Sequence, residues 1–558
     1  MLGCAAAPAV AADETVPPGT ELYVQGGAFA GVGKPLDLLL HPTSGKLYVG
    51  ADNLAATADI DERGLYVLDP ATGALLGKVT QAPNSTGTLA TVAARRMAGP
   101  LPGAADGVVF NYPLRGIGSA ADGDAQASGV WLTGTTISDL GPGTRDTTSF
   151  VAQGTKLSEI ERATGTVLRS VEPGGTGPFA VDVRRGGIWY LDTAAGLLRH
   201  VETAGLTVTG SYELPAHQGN AAPFIEVDPA DGSVWVGHGD TVAVHAADGT
   251  ARATLTGTDY AGGVAFDAES SRAFLVRQDS ESPGAPGSDG NGVGSLGVYD
   301  TKTLKEVVTP VPLRNSTSQY GSSAVAVTPG GGEVFVSNPH PDASGIVKLV
   351  RQVSPAVTRQ PTDVTVEEGA PVELTAEAEG SPAPAVRWQS SADDGESWED
   401  VEGEGADGTT YAFTAAAGQD GVRFRAEFTN EAGAARTDAV TLTVTEPDPE
   451  PGTETPSPGQ SEPAGSPDPG GAGDAGGGDG GGGDSGGGDE VPPPSAATTA
   501  PVAAGTIGST TGGATGTTAS GATGGSLAST GTSVLAATGA AAALLAAGVV
   551  AVRRARRV

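Results

Sequence analysis

From about residue 36 to residue 340 the apolar positions fall in short runs of one recurring form. A turn carrying Gly or Ser is followed by an apolar, an aromatic and another apolar residue. The copies are Gly45-Lys46-Leu47-Tyr48-Val49, Gly129-Val130-Trp131-Leu132, Gly187-Ile188-Trp189-Tyr190, Gly232-Ser233-Val234-Trp235-Val236, Arg272-Ala273-Phe274-Leu275 and Gly332-Glu333-Val334-Phe335-Val336. Most follow an alternating stretch and a turn, as in Phe224-Ile225-Glu226-Val227-Asp228-Pro229-Ala230-Asp231-Gly232. Period-two alternation interrupted by Asp-Pro and Asp-Gly predicts β-hairpins, because those residues adopt turn geometry and alternation gives one buried face. Copies spaced roughly 40–60 residues apart predict a set of small sheets, the blades of a β-propeller.

A third strand and a second turn often follow, clearest in Gly64-Leu65-Tyr66-Val67-Leu68-Asp69-Pro70-Ala71-Thr72-Gly73 and again in Val298-Tyr299-Asp300-Thr301-Lys302-Thr303. This pattern resembles the YVTN-type β-propeller repeat, and the resemblance covers residues 20–352. The gap between Tyr48 and Trp131 is too long for one blade, and Gly107-Val108-Val109-Phe110 marks a candidate for one more. The expectation is an all-β chain opening with a six- or seven-bladed propeller. Leu22-Tyr23-Val24-Gln25 is expected to supply the outer strand of the last blade, closing the ring and removing its open edges.

A different module runs from 355 to 445. Its strands read Val364-Thr365-Val366, Val372-Glu373-Leu374-Thr375, Pro384-Ala385-Val386-Arg387-Trp388, Val422-Arg423-Phe424-Arg425-Ala426 and Val440-Thr441-Leu442-Thr443-Val444. It resembles an immunoglobulin-like sandwich, which implies that Trp388 is the core tryptophan of strand C. By the same resemblance Ala376 and Ala426 stand where disulfide cysteines usually do. Phe424 replaces the tyrosine of the tyrosine corner, so that hydrogen bond is not expected.

From 446 to 526 the chain is Pro/Glu/Ser-rich, then Gly/Asp-rich, then Thr/Gly/Ala-rich. Such composition cannot bury enough apolar surface to offset ordering, and it predicts a flexible stalk. The segment 527–558 has three parts: Leu527-Ala528-Ser529-Thr530-Gly531, an apolar run over 533–552, and Arg553, Arg554, Arg556 and Arg557. An apolar run of about 20 residues matches a bilayer core as a helix, and the arginines should stay in the cytoplasm. The pentapeptide resembles the LPXTG-type sorting signal of Gram-positive surface proteins, in its L-A-x-T-G form. That resemblance implies cleavage by a sortase between Thr530 and Gly531, covalent transfer of Thr530 to peptidoglycan, and Leu527 as part of the recognition motif. Residues 1–12 are small and apolar and read as the remnant of a signal peptide, although no Lys or Arg precedes Lys34.

Charge and cysteine content narrow the partners. The net charge of −34 argues against nucleic acid and anionic lipid surfaces. Membrane contact is therefore expected only through the C-terminal helix. The single cysteine, Cys4, excludes an intrachain disulfide and any thiolate cluster. The six histidines, His41, His200, His217, His238, His245 and His340, form no metalloprotease motif, and no nucleophile elbow or P-loop is present. His41 sits in a hairpin turn where another repeat has Asp228.

The remaining candidate chemistry is a set of polar residues that end the aromatic strands: Asp52 with Asn53, Asp192, His238 with Asp240, Gln278 with Asp279, and Ser337 with Asn338. Repeat symmetry puts them on one propeller face around the central opening. There a ring of Asp52, Asp192, His238, Gln278 and Asn338 could hold a divalent cation or polarise a carbonyl. Strand capping explains the same residues. The loops 59–62 and 279–291 are acidic and Gly-rich, without EF-hand spacing. No cofactor is otherwise expected.

The function expected is a non-enzymatic binding or adhesion module, displayed on the cell wall and directed at an extracellular protein or glycan. The alternatives are a metal-dependent propeller enzyme of the lactonase or lyase kind, and a passive envelope protein.

Overall fold

A computed structural model describes residues 16–447, apart from the short stretches 84–88, 92–94, 102–106, 113–115, 125–126, 133–135 and the single positions 220 and 315. The segments 1–15 and 448–558 lie outside the described residues. With them lie the signal-peptide remnant, the stalk, the apolar run 533–552, and Leu527, Thr530 and Gly531. Among the described residues no helix is long and apolar enough to cross a membrane.

Seven antiparallel sheets follow one another from residue 34 to residue 350. The first comprises Lys34–Leu40, Leu47–Asp52, Gly64–Leu68 and Leu75–Val79, in that spatial order. The next five span 97–131, 137–171, 179–213, 224–256 and 260–314 and repeat the arrangement. The seventh takes Val325–Val327, Glu333–Asn338 and the start of Gly345–Arg359. Its fourth, outermost strand is Glu21–Phe29, with Leu22 opposite Gln352 and Val24 opposite Val350. The N-terminal strand thus closes the last blade, and the innermost strands of all seven sheets line a single axial channel.

The second strand of each blade is sandwiched between neighbouring blades, so both its faces are buried and it reads as a continuous apolar run rather than an alternating one. Leu47–Asp52, Gly187–Asp192 and Glu333–Asn338 are buried almost throughout, whereas the outer strands Leu75–Val79 and Thr207–Glu213 are largely exposed. The core is therefore a circle of inter-blade layers. One of them joins the first and last blades through Leu38, Leu47, Val49, Tyr66, Phe335 and Ile346.

The run Gly129-Val130-Trp131-Leu132 is placed differently from its sequence reading. It ends Ala127–Trp131, the strand at the end of its sheet that follows Gly116–Ala120, so it does not mark a blade of its own. The second strand of that blade is Val108–Tyr112, and that of the third blade is Thr148–Gln153. The latter carries Phe150, but the glycine of its turn, Gly143, stands at the far end of the turn instead of next to the strand.

The turns use the residues the hairpins need. At 69–73 the Asp69 carboxylate accepts from the backbone N–H of Ala71 (2.8 Å) and Thr72 (3.0 Å), and Gly73 takes a φ of +72°. His41 fills the same role in another turn, its Nδ1 facing the N–H groups of Thr43 (3.3 Å) and Ser44 (3.1 Å).

Gly345–Arg359 does not stop at the propeller edge. Its first half pairs with Glu333–Asn338 and Glu21–Phe29, and its second half pairs with Glu377–Ser381 of the following module. That module places Val364–Glu367, Val440–Thr445, Arg423–Asn430, Ala385–Ser391 and Glu399–Asp400 in one sheet, and Pro371–Thr375 with Thr410–Thr414 in another. Trp388 is fully buried between them, donates from Nε1 to the Gly408 carbonyl (2.9 Å), and shares its cluster with Ala376 and Ala426. Phe424 packs its ring on Phe413 at 5.2 Å, occupying the tyrosine-corner position by packing alone.

Candidate functional site

The axial channel has a volume of about 470 Å³. Most of its lining is apolar or backbone, and the charged groups in it are Asp37, Arg96, Asp139 and Glu226. A register shift lies beside two of them, between Pro35 and Asp37 and between Ile137 and Asp139. Such bulges re-aim a side chain and add local twist. Asp37 uses the new direction to accept from the N–H of Leu38 (3.0 Å) and of Met97 (2.8 Å), the first residue of the next blade's inner strand. Asp139 repeats the device one blade pair later, accepting from Leu140 N–H (2.9 Å) and Phe179 N–H (2.9 Å). Each carboxylate therefore ties neighbouring blades together at the axis.

Arg96 reaches into the same space, with its Nε 4.0 Å from Asp139 Oδ1. Glu226, on the inner strand of the fifth blade, has no comparable amide cradle. Its side chain is exposed to the channel, which is walled in by the inner strands. Loss of bulk hydration pushes its carboxyl up to about 8, with Asp139 and Asp37 adding to the rise and Arg96 opposing it. Confinement likewise pushes Asp37 up to about 6, against Arg96 and the Met97 amide. Asp139 is also raised by desolvation, with Arg96 opposing. The channel therefore gathers the carboxyls of Glu226, Asp37 and Asp139, all raised by desolvation, with one guanidinium, that of Arg96.

The five residues expected to ring the opening are elsewhere. Asp52, Asp192, His238, Gln278 and Asn338 do end second strands at one end of their blades, but they sit one strand out from the axis and none lines the channel. Asp52 is clamped by Arg63 (2.8 Å) and Arg95 (2.5 Å). Asp192 pairs with Arg199 (3.1 Å) and accepts from Ala195 N–H. Gln278 donates to the carbonyls of Thr317 (3.2 Å) and Gly321 (3.0 Å) and accepts from Ser323 N–H (3.1 Å). Asn338 accepts from His340 N–H (3.1 Å). Local capping and bracing occupy these four, because the second strand ends where the chain must turn.

His238 stacks on His217, with ring centroids 3.5 Å apart and planes 27° from parallel. Burial lowers its pKa and His217 lowers it further. Parallel rings do not converge their nitrogens on one point, so the pair is not built as a chelate. His200 and His245 are packing residues, the first against Trp189 (4.7 Å) and the second facing the Gly249 carbonyl from Nδ1 (3.0 Å).

Asp37, Arg96, Asp139 and Glu226 were not singled out from the sequence. Their signal is a lone acidic residue inside an otherwise apolar inner strand, as in Pro35-Leu36-Asp37-Leu38 and Phe224-Ile225-Glu226-Val227. Alternation assigns those positions to a solvent face, and here that face is the channel.

Comparison with known proteins bears mainly on the second module. Residues 355–444 match the Immunoglobulin I-set domain family. This segment is an immunoglobulin-like domain. Over 91 residues the chain is 54% identical to Endoglucanase C of Cellulomonas fimi, a match covering 16% of this chain and 8% of that protein. The chain thus spans less than a tenth of that relative's length. Solved structures with a similar fold include Kuenenia stuttgartiensis hydrazine synthase (TM-score 0.43, 13% identity, 58% of this chain and 98% of that one). The Cps50 (Swd1) β-propeller domain of Myceliophteria thermophila is another (TM-score 0.43, 9% identity, 59% and 99%). The seven closed sheets themselves define the propeller. A propeller followed by an Ig-like domain fits a surface or binding module.

Proposed function

We propose that the protein is a wall-anchored surface protein whose propeller binds an extracellular glycan or protein, and whose Ig-like domain holds the propeller at a set attitude above a flexible stalk. The observation that carries this reading is the shared strand Gly345–Arg359, hydrogen-bonded to both modules. A strand common to two sheets transmits orientation from one module to the other. Two contacts reinforce the joint. Gln352 Nε2 donates to Glu431 (2.8 Å), and Asn430 Nδ2 donates to the Val353 carbonyl (2.9 Å). The 54% identity confined to the Ig-like domain supports treating that domain as a portable positioning module. The order of pentapeptide, apolar run and arginines at 527–557 supports wall anchoring.

Binding is tested by titrating the purified full chain with solubilised wall glycans and measuring heat or refractive change. Saturable binding that Arg96→Ala weakens by tenfold or more supports a channel-centred site. Failure of every wall glycan and intact-cell preparation to bind would sink the binding reading.

A second reading is a propeller hydrolase or lyase, favoured by the raised carboxyl of Glu226 in the channel, which suits general acid work. Turnover of a lactone or uronic-acid polymer that disappears in Glu226→Gln would establish it.

A further inference from the structure

We propose that Asp259, Asp279 and Asp289 hold a calcium ion that fastens the loop between the second and third strands of the sixth blade. The three residues come from separate segments. Asp259 precedes the inner strand Tyr260–Asp267, Asp279 follows Arg272–Gln278, and Asp289 lies in the loop before Val293–Asp300. Their carboxylate oxygens nevertheless lie within 4.8 Å of one another, a spread one ion can bridge with Ca–O bonds of about 2.4 Å.

Asp279 is wholly buried and Asp259 nearly so. Among the described residues none of the three forms an ion pair with Lys, Arg or His. Arg277 donates to the Asp259 carbonyl (2.9 Å) rather than to its carboxylate. The backbone N–H groups of Glu281 (2.5 Å) and Gly292 (2.8 Å) donate to Asp279 Oδ1 and fix the direction of its carboxylate.

An independent observation comes from the neighbouring segment. Thr317 is the partner of Asp279 in an isolated parallel bridge, framed by Asp279 N–H to the Ser316 carbonyl (3.0 Å) and Ser318 N–H to the Asp279 carbonyl (2.8 Å). Bridge partners project their side chains to the same side, so Thr317 leaves the backbone on the side of the Asp279 carboxylate. Thr317 is fully buried and its Oγ1 has no hydrogen-bond partner. A buried hydroxyl without a partner is costly unless something meets it. Ser288 Oγ, already 3.1 Å from Asp259 Oδ1 and 2.9 Å from Asp279 Oδ2, adds another oxygen.

The donor set is all oxygen and strongly anionic, which selects a hard divalent cation over zinc or copper. Ligands drawn from three separate segments suit the irregular, flexible shell of calcium better than the tight octahedron of magnesium.

The test uses the full chain stripped with EDTA and titrated with CaCl₂, followed by calorimetry and by thermal melting. The expected result is one ion bound per chain, with a dissociation constant at or below roughly 10⁻³ M, and a higher melting temperature. Asp289→Asn changes an exposed loop residue and should weaken binding at least tenfold without lowering the melt in EDTA. Thr317→Val should also weaken binding, while leaving the EDTA melt unchanged or raised. No binding by the unmodified chain, or binding untouched by both substitutions, would overturn the site. Magnesium raising the melt as much as calcium would overturn the choice of ion.

Discussion

Glu226 and His238 carry opposite pH signatures, and both can be read in the melting temperature. Glu226 moves from an ordinary 4.5 to about 8 in the folded chain. A carboxyl raised on folding contributes stability that is complete below its unfolded pKa and is lost as pH rises through the folded one. Glu226→Gln should therefore gain on the unmodified protein progressively between about pH 4.5 and 8 and keep the gain above that. A difference in melting temperature that stays flat across that window would contradict the confined channel environment. His238 is lowered from 6.5 by burial and by His217, so folding favours its neutral form. Its contribution is present above 6.5 and is lost as pH falls below that value. His238→Leu should flatten the acid-side loss, and an unchanged acid limb in melts from pH 7 to 5 would count against the stacked pair. Of these residues only His238 was marked by the sequence, because it ends an aromatic strand. Glu226 was hidden, since a polar residue at an alternating position has the same appearance on a solvent face and on a channel wall.

At the scale of strands, the aromatic second strand was the readable unit. Being buried on both faces, it must be apolar throughout, and Tyr48, Trp189, Trp235, Phe274 and Phe335 each announce one blade. The reading failed where that rule met its exceptions. Ala127–Trp131 carries an aromatic residue at a sheet end, and Thr148–Gln153 is a second strand whose turn glycine, Gly143, lies five residues before it rather than beside it. The closing strand Glu21–Phe29 was readable because the last blade otherwise lacks an outer member. Deleting residues 16–29 should expose the edge of Gly345–Arg359 and remove Tyr23 and Phe29 from buried clusters. The expected outcome is loss of a single cooperative unfolding transition and growth of aggregates, measured by circular dichroism and size-exclusion chromatography. A monomer with an unchanged melt would show that the ring does not depend on this strand. In the Ig-like domain the Trp388 core replaces the missing disulfide, with Ala376 and Ala426 filling its place. Trp388→Ala should cost about 3–5 kcal/mol in urea unfolding of that domain. A cost below about 1 kcal/mol would mean the core does not centre on it.

At the scale of the whole molecule, a closed seven-bladed ring and an Ig-like sandwich share one strand, and the chain then continues into residues whose composition resists ordering. For the wall anchoring proposed above, the segment 527–558 is the part of the chain that can be tested. The most direct test is the chemistry of that end. The full chain would be produced in an actinobacterial host with its sortases, the wall fraction solubilised with muramidase, and the C-terminal peptide identified by mass spectrometry. The expected product ends at Thr530 in an amide to a wall peptide, with Gly531 and everything after it gone, and Thr530→Ala abolishes it. A protein recovered with Arg553 to Arg557 still attached, or absent from the wall fraction, would contradict wall display.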